Sequence, residues 1–362
     1  MIDESLLSFE EKCTYKLRAL YTKYGYLPYK MGKFEEYELY IRNKDFLVSD
    51  RVIAFNDTNG KLMALKPDVT LSIIKNGEDA PGVKQKVFYN ENVYRVSEST
   101  HRFKEIMQTG LECIGDVDIY DICECISLAA ESLGAIADDF CIEVSNLDLL
   151  RGVISSVCAN EEFAAEAIAC ISEKNRHDLK TVCEKYGVDE DGQEKIGCLV
   201  SVYGERKSVI GKLREVFSLP EIERMATLSE MLDNSVFADK IKFDFSVVND
   251  MNYYNGFVFR GFVDGGCRRV LAGGPHDNMM KKMKRTSGAI GFAVYLDRMD
   301  DLFRESEKYD VDTLLLYDDE TDAAKVASSV RSFVASGSSV SAQKSIPEKL
   351  RYKKIADLRK KG

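Results

Sequence analysis

The chain has 362 residues, 45% of them hydrophobic, which is enough for two or three domains and a sizeable buried core. Fifty Lys plus Arg against 60 Asp plus Glu leave a net charge of −10, which argues against tRNA or another nucleic acid as a partner and leaves room only for a local basic patch. No apolar run approaches the ~20 residues that span a bilayer, and the acidic start MIDESLLSFEEKC lacks an apolar signal core, so no membrane association and a cytoplasmic location are expected.

Leu6, Phe9, Cys13, Leu17, Leu20 and Tyr24 recur at helical spacing and predict a helix over 5–24, stopped at Gly25. Tyr26–Tyr29 reads as extended. Asn56-Asp57-Thr58-Asn59-Gly60 is a turn followed by a short strand, Leu62–Leu65. Lys66-Pro67-Asp68-Val69-Thr70 ends that strand and opens a helix. Asp68 and Thr70 then lie at a helix N-terminus. They read either as simple caps or, for Asp68, as an anion awaiting an ammonium group. Lys66 reads as a solvated side chain.

The stretch KVFYNENVYRVSESTHRFKEIMQTGLECIG, residues 86–115, predicts two strands around a polar loop. Gln108, Gly110 and Glu112 alternate onto one face, and Met107, Thr109, Leu111 and Cys113 onto the other, which reads as core. The polar row is either a solvated face, as is common in antiparallel sheets, or the floor of a polar-ligand pocket in which Gly110 leaves room. Arg95 on the partner strand is a cation suited to a carboxylate.

A helix over 116–133 and a strand over 140–144 follow. Residues 148–238, rich in Ala, Glu, Lys and Leu, predict an inserted helical subdomain. Strand patterns return at 242–248, 257–263 and 270–274, the last ending in Gly273-Gly274, where a backbone can approach a ligand or another strand closely. Residues 288–298 start extended and become helical. A small α/β unit closes the chain, with strands over 311–317 and 338–342, a helix over 321–335 and a basic helix from Pro347. The ten cysteines are scattered, with no CxxC pair; they read as small hydrophobes, and no metal or cofactor site is expected.

The central hairpin, LKPDVT before it, and SVVNDMNYYNGFVFRGF, LAGGPHD and SGAIGFAVYLDR after it together resemble the catalytic core of histidyl-tRNA synthetases over roughly residues 3–300. The resemblance implies an α+β fold of the class II aminoacyl-tRNA synthetase type, an antiparallel sheet flanked by helices and dimeric through its N-terminal motif. It divides the chain into a core (1–147 and 239–305), a helical insertion (148–238) and a short α/β unit (306–362) that resembles a truncated anticodon-binding domain. Carried over by position, Asp68 and Thr70 match residues that hold the amino group of histidine, and Arg95 and Gln108 match those at its carboxylate end. Glu112 and Tyr254 match the pair that grips the imidazole, with Tyr253 beside them. Gly110, Gly273, Gly274 and His276 are expected to line the same pocket.

The departures fall on the nucleotide side. Asn249-Asp250-Met251-Asn252 stands where synthetases carry Arg-Gly-Leu-Asp. Arg95-Val96-Ser97 replaces Arg-x-Glu, Tyr295 replaces a glycine, and Pro275-His276 replaces Arg-Tyr. With runs such as VVNDMNYYNG and GFAVYLDR, this combination resembles the synthetase-like regulatory subunits of ATP phosphoribosyltransferase. That resemblance implies no catalytic residues and no cofactor. It also implies a homodimer within a hetero-oligomer, a short-form catalytic subunit as partner, and L-histidine as the ligand that feeds back on histidine biosynthesis. The alternative it leaves is an active or divergent histidine–tRNA ligase.

Overall fold

The computed structural model describes residues 7–47, 52–77, 82–97, 100–248, 253–299 and 309–359. The chain divides into two compact units, Met1–Met299 and Asp300–Gly362.

In the first unit, helix α1 (Phe9–Lys23) opens with a capping box: Ser8 Oγ accepts from the Glu11 amide and the Glu11 carboxylate from the Ser8 amide. It buries Cys13, Leu17 and Tyr21 at four-residue spacing and ends where Gly25 takes a φ of 81°. After β1 (Leu27–Pro28), a small antiparallel sheet forms from β2 (Phe34–Glu36), β3 (Ala54–Asn56) and β4 (Leu62–Leu65), with α2 (Tyr37–Arg42) inserted after β2. Helix α3 (Thr70–Asn76) leads to two 13-residue strands, β5 (Lys84–Val96) and β6 (Phe103–Gly115), paired in register along their whole length.

Helix α4 (Ile119–Gly134) and strand β7 (Phe140–Asn146) follow. Six helices then run in series: α5 (Leu147–Val157), α6 (Glu161–Ser172), α7 (Arg176–Lys185), α8 (Glu190–Ser201), α9 (Arg206–Val216) and α10 (Pro220–Leu232). Between α8 and α9, β8 (Tyr203–Gly204) breaks the helical run and pairs with β9 (Ile241–Asp244) at the sheet edge. Strands β10 (Phe257–Val263) and β11 (Arg268–Pro275), helix α11 (Asp277–Lys282) and strand β12 (Gly288–Tyr295) complete the unit. The large sheet has nine strands in the order β1-β5-β6-β12-β11-β10-β7-β9-β8, antiparallel except at β1–β5 and β7–β9.

Helices α1 and α4 cover one face of this sheet; the phenol of Tyr21 hydrogen-bonds Ser132 at 3.0 Å and its ring packs edge-on against Phe292. Leu111 and Cys113 point into that layer, as their alternation predicts, whereas the Gln108–Gly110–Glu112 face is buried too and floors a cavity. Nine of the ten cysteines are buried or half-buried, with Cys267 exposed.

The second unit is a three-stranded parallel sheet, with β13 (Val311–Leu316) between β14 (Val340–Gln343) and β15 (Tyr352–Asp357), and helix α12 (Ala323–Ala335) as the crossover. The basic segment after Pro347, expected as a helix, is instead the edge strand β15. Leu314, Leu315 and Leu316 are buried and β13 pairs on both sides, which outweighs the helix preference of the lysines. Lys353 and Lys354 are exposed on that edge, a placement that discourages further strand pairing.

Candidate functional site

A cavity of about 180 Å³ opens on the sheet face opposite α1 and α4. Its floor follows from cross-strand register. One row runs Tyr89–Gly110–Ala293–Ala272–Arg260 across β5, β6, β12, β11 and β10. Ala293 and Ala272 in the middle of the row leave the hollow, Gly110 gives way to the Tyr89 ring, and Tyr89 and Arg260 stand at its ends. The neighbouring row pairs Glu112 with Gly291 and Gly291 with Gly274.

The segment carrying Asp68 is tied to β5 at three points. Lys66 is fully buried and ion-pairs Glu91, its carbonyl accepts from the Tyr94 amide at 2.9 Å, and the Pro67 carbonyl accepts from Arg95 Nε at 3.0 Å. Lys66 is thus not the solvated side chain its composition suggested. Asp68 is buried, caps α3 by accepting from the Leu71 amide at 2.9 Å, and lines the cavity. Burial pushes its carboxyl above the ordinary range, opposed by the Leu71 N–H and by Arg95.

Glu112 is engaged at both oxygens: Thr70 Oγ1 donates to Oε1 at 2.6 Å, and His276 Nε2 lies 2.8 Å from Oε2. Tyr253, Tyr254 and His276 cluster as a trio of tilted and edge-on rings, with ring centroids 4.5 to 5.5 Å apart. The loop that presents His276 is pinned because Asn255 Nδ2 donates to Asp277 and the Asp277 amide donates back to Asn255 Oδ1. Burial, and then the nearby carboxylates of Asp68 and Glu112, push the Tyr253 phenol well up; burial does the same for Tyr254, so both are neutral donors.

The cavity brings together Asp68, Thr70, Arg95, Gln108, Glu112, Tyr253, Tyr254 and His276. Gly110, Gly273 and Gly274 do not line it. A side chain at Gly110 would collide with the Phe292 carbonyl and the Tyr89 ring, and one at Gly273 with Phe259 and Phe292. One at Gly274, whose φ is +153°, would meet Tyr254 at 2.9 Å. These glycines therefore admit neighbouring side chains rather than a ligand. Asn249, Asp250, Met251 and Asn252 lie outside the described residues.

Sequence reasoning missed Tyr89, Ala272, Ala293, Arg260 and Arg269 as lining residues. The small residues at 272 and 293 would have signalled the hollow only once the register was known. Arg260 and Arg269 alternate with nothing diagnostic around them. Burial, and then Arg269, bring the Arg260 guanidinium down to about 10. With Asp68 and Arg95 near one end and the Gln108 amide on the floor, the site offers an anion, a cation and a neutral hydrogen-bonding group, the complement of an amino-acid zwitterion.

The histidyl-tRNA synthetase family model matches residues 4–299. The chain belongs to the histidyl-tRNA synthetase family. Among relatives of this synthetase-family chain, an ATP phosphoribosyltransferase regulatory subunit of Oceanobacillus iheyensis is 24% identical over 283 residues, 76% of this chain and 69% of that one. A histidine–tRNA ligase of Methanocaldococcus jannaschii is 28% identical over 303 residues, 81% of this chain and 72% of that one. The fold is that of an ATP phosphoribosyltransferase regulatory subunit/histidyl-tRNA synthetase from Bacillus halodurans (TM-score 0.76, 20% identity, 97% and 94% of the two chains). It also matches a chain of the ATP phosphoribosyl transferase (HisG:HisZ) complex from Thermotoga maritima (TM-score 0.63, 17% identity, 82% and 97% of the two chains). The class II synthetase-like architecture expected from the motifs is therefore the one observed, and within the synthetase family the chain resembles regulatory subunits as well as ligases.

Proposed function

We propose that this chain is a non-catalytic regulatory subunit of ATP phosphoribosyltransferase, required by a short-form catalytic subunit and carrying its feedback response to L-histidine. The observation that carries this reading is the single cavity in which Asp68, Arg95 and Gln108 present zwitterion-binding chemistry, in a chain whose relatives include several named as regulatory subunits. Asp68 and Thr70 take the ammonium group, Arg95 and Gln108 the carboxylate, and Glu112, Tyr253 and Tyr254 surround the ring. Replacement of the arginine run by Asn249–Asn252 removes the cation that would neutralise phosphate charge during adenylate formation. The working assembly is a homodimer within a cytoplasmic hetero-oligomer. In each chain residues 1–147 and 239–305 form the core, 148–238 the insertion and 306–362 the appended unit.

Co-expression with a short-form catalytic subunit tests this: a stable complex and phosphoribosyl transfer that depends on both chains are expected. A second reading, a divergent histidine–tRNA ligase, draws on the archaeal ligase relative and on Arg95 and Arg298, both at the cavity. Histidine-dependent exchange of pyrophosphate into ATP by the isolated chain decides for it.

A further inference from the structure

His276 sits where β11 gives way to α11, and its backbone is fixed on three sides. Its amide donates to the Ala289 carbonyl at 2.8 Å, its carbonyl accepts from the Met280 amide at 3.1 Å, and the Asn255–Asp277 clamp holds the next residue. The main chain therefore aims the imidazole into the cavity, and only rotation of the side chain takes it out.

What surrounds that imidazole is what a free imidazole would ask of a binding site. Glu112 Oε2 lies 2.8 Å from Nε2, and the Tyr253 and Tyr254 rings stand edge-on and tilted against it, each 5.5 Å away. These are the three groups that the amino-acid reading assigns to a ligand ring. Glu112 has no further place to offer. Thr70 Oγ1 occupies Oε1, and a Cβ on Gly291 would lie 2.1 Å from Oε2, so the β12 backbone closes the other flank of the oxygen that His276 holds. A second ring at Oε2 requires that the first one leave.

The His276 contact is also suited to exchange. With Nε2 as the donor to the carboxylate, Nδ1 is left as an acceptor, and it is buried without a partner among the described residues. A structural histidine at this depth ordinarily has both nitrogens engaged. Here one hydrogen bond holds the ring, and a ligand that presents its own N–H to Glu112 replaces like with like. Asp68 is tied instead to the Leu71 amide and Arg95 to the Pro67 carbonyl, so the zwitterion end keeps its geometry whether or not His276 is in place.

We propose that His276 is a resident competitor, an imidazole of the chain itself that fills the ring end of the cavity, keeps other rings from Glu112 and yields only to a ligand ring that displaces it. Its bearing on histidine rests on the amino-acid reading; its occupancy of the ring end does not. The test is calorimetric titration of the full chain and of His276→Ala with imidazole, L-histidine and L-alanine, the last a zwitterion without a ring. Imidazole and L-histidine are each expected to bind the variant at least tenfold more tightly than the parent, and L-alanine to change less than twofold. His276→Gln, whose amide nitrogen still donates to Glu112, keeps the fold and is expected to bind both ring ligands no better than the parent. Ring-nitrogen NMR of the parent's three histidines needs no substitution: saturating L-histidine should shift the His276 signals as the Glu112 contact breaks. Imidazole bound alike by parent and His276→Ala, or by neither, overturns the proposal. So does L-histidine that binds the variant more weakly than the parent, or that binds the parent and leaves the His276 signals unmoved, because His276 is then a ligand contact. Imidazole bound by the variant alone, with L-histidine bound by neither chain, supports the competitor and overturns the amino-acid reading instead.

Discussion

His276 Nε2 lies 2.8 Å from Glu112 Oε2, both residues almost completely buried, so the chain places its own imidazole on a carboxylate at the heart of the cavity. The other Glu112 oxygen is held by Thr70, and His276 Nδ1 has no partner among the described residues. A ligand ring seeking Glu112 must share it with His276 or displace it. Removing the imidazole leaves a buried carboxylate oxygen unsatisfied, so His276→Ala should lower unfolding free energy by about 3 kcal/mol. Millimolar imidazole should restore part of that loss in the variant and do nothing to the parent, as read by thermal melts. Equal melts for parent and variant would show that the pair holds nothing together.

Gly291 faces Glu112 across the β6–β12 pair, and a Cβ there would collide with the Glu112 carboxylate and the Leu111 carbonyl. The backbone carbonyl cannot yield within the ladder. Gly291→Ala should therefore cost about 3 kcal/mol by urea denaturation and break the Glu112–His276 contact. A crystal structure of the variant with that contact intact would contradict this.

Burial of Asp68 makes the folded chain hold that proton more tightly than the unfolded chain. The stability it contributes is full below the ordinary value of 3.8 and is lost as pH rises through the raised folded value. Asp68→Asn keeps an acceptor for the Leu71 amide and removes the cost of ionisation. The variant should gain stability over the parent near neutral pH and show no gain at about pH 3.5. An ammonium ligand reverses the preference, because it favours the carboxylate. Parent affinity for histidine should therefore rise with pH through the raised Asp68 value, and Asp68→Asn should lose about tenfold or more near neutral pH. Calorimetry across that pH range checks both signs.

The pair formed by buried Lys66 and half-buried Glu91 anchors the segment that carries Asp68. Lys66→Ala strands Glu91 and should destabilise by about 3–5 kcal/mol, whereas replacing both partners with methionine should cost much less. Urea unfolding of the two variants separates these outcomes; similar losses would mean that Lys66 acts through packing alone.

Local alternation made much of the fold legible. The strand carrying Gln108, Gly110 and Glu112, the turn at Asn56–Gly60 and the helix from Phe9 all follow from spacing within one element. Local pattern singled out Asp68, Arg95, Gln108 and Glu112, but that they share one cavity with Thr70, Tyr253, Tyr254 and His276 came from motif resemblance, because these residues lie on segments far apart in the chain. What failed to show depends on neighbours across strands. Gly110 is small because Tyr89 and the Phe292 carbonyl press on it, Arg269 faces inward because of a bulge, and Lys66 is buried because Glu91 waits on β5. The segment after Pro347 misled for the same reason, since a lysine-rich stretch looks helical until β13 offers it an edge.

Reconstituted phosphoribosyl transfer, measured against rising histidine, bears most directly on whether an amino acid seated in this cavity governs a partner enzyme. With the parent chain, activity should require both subunits and fall with histidine. With Gln108→Ala, activity should persist while the histidine response shifts to at least tenfold higher concentration, and histidine affinity should shift by the same factor, because the response follows occupancy of the cavity. A histidine response identical in parent and variant, or transfer by the catalytic subunit that is indifferent to this chain, would contradict the account.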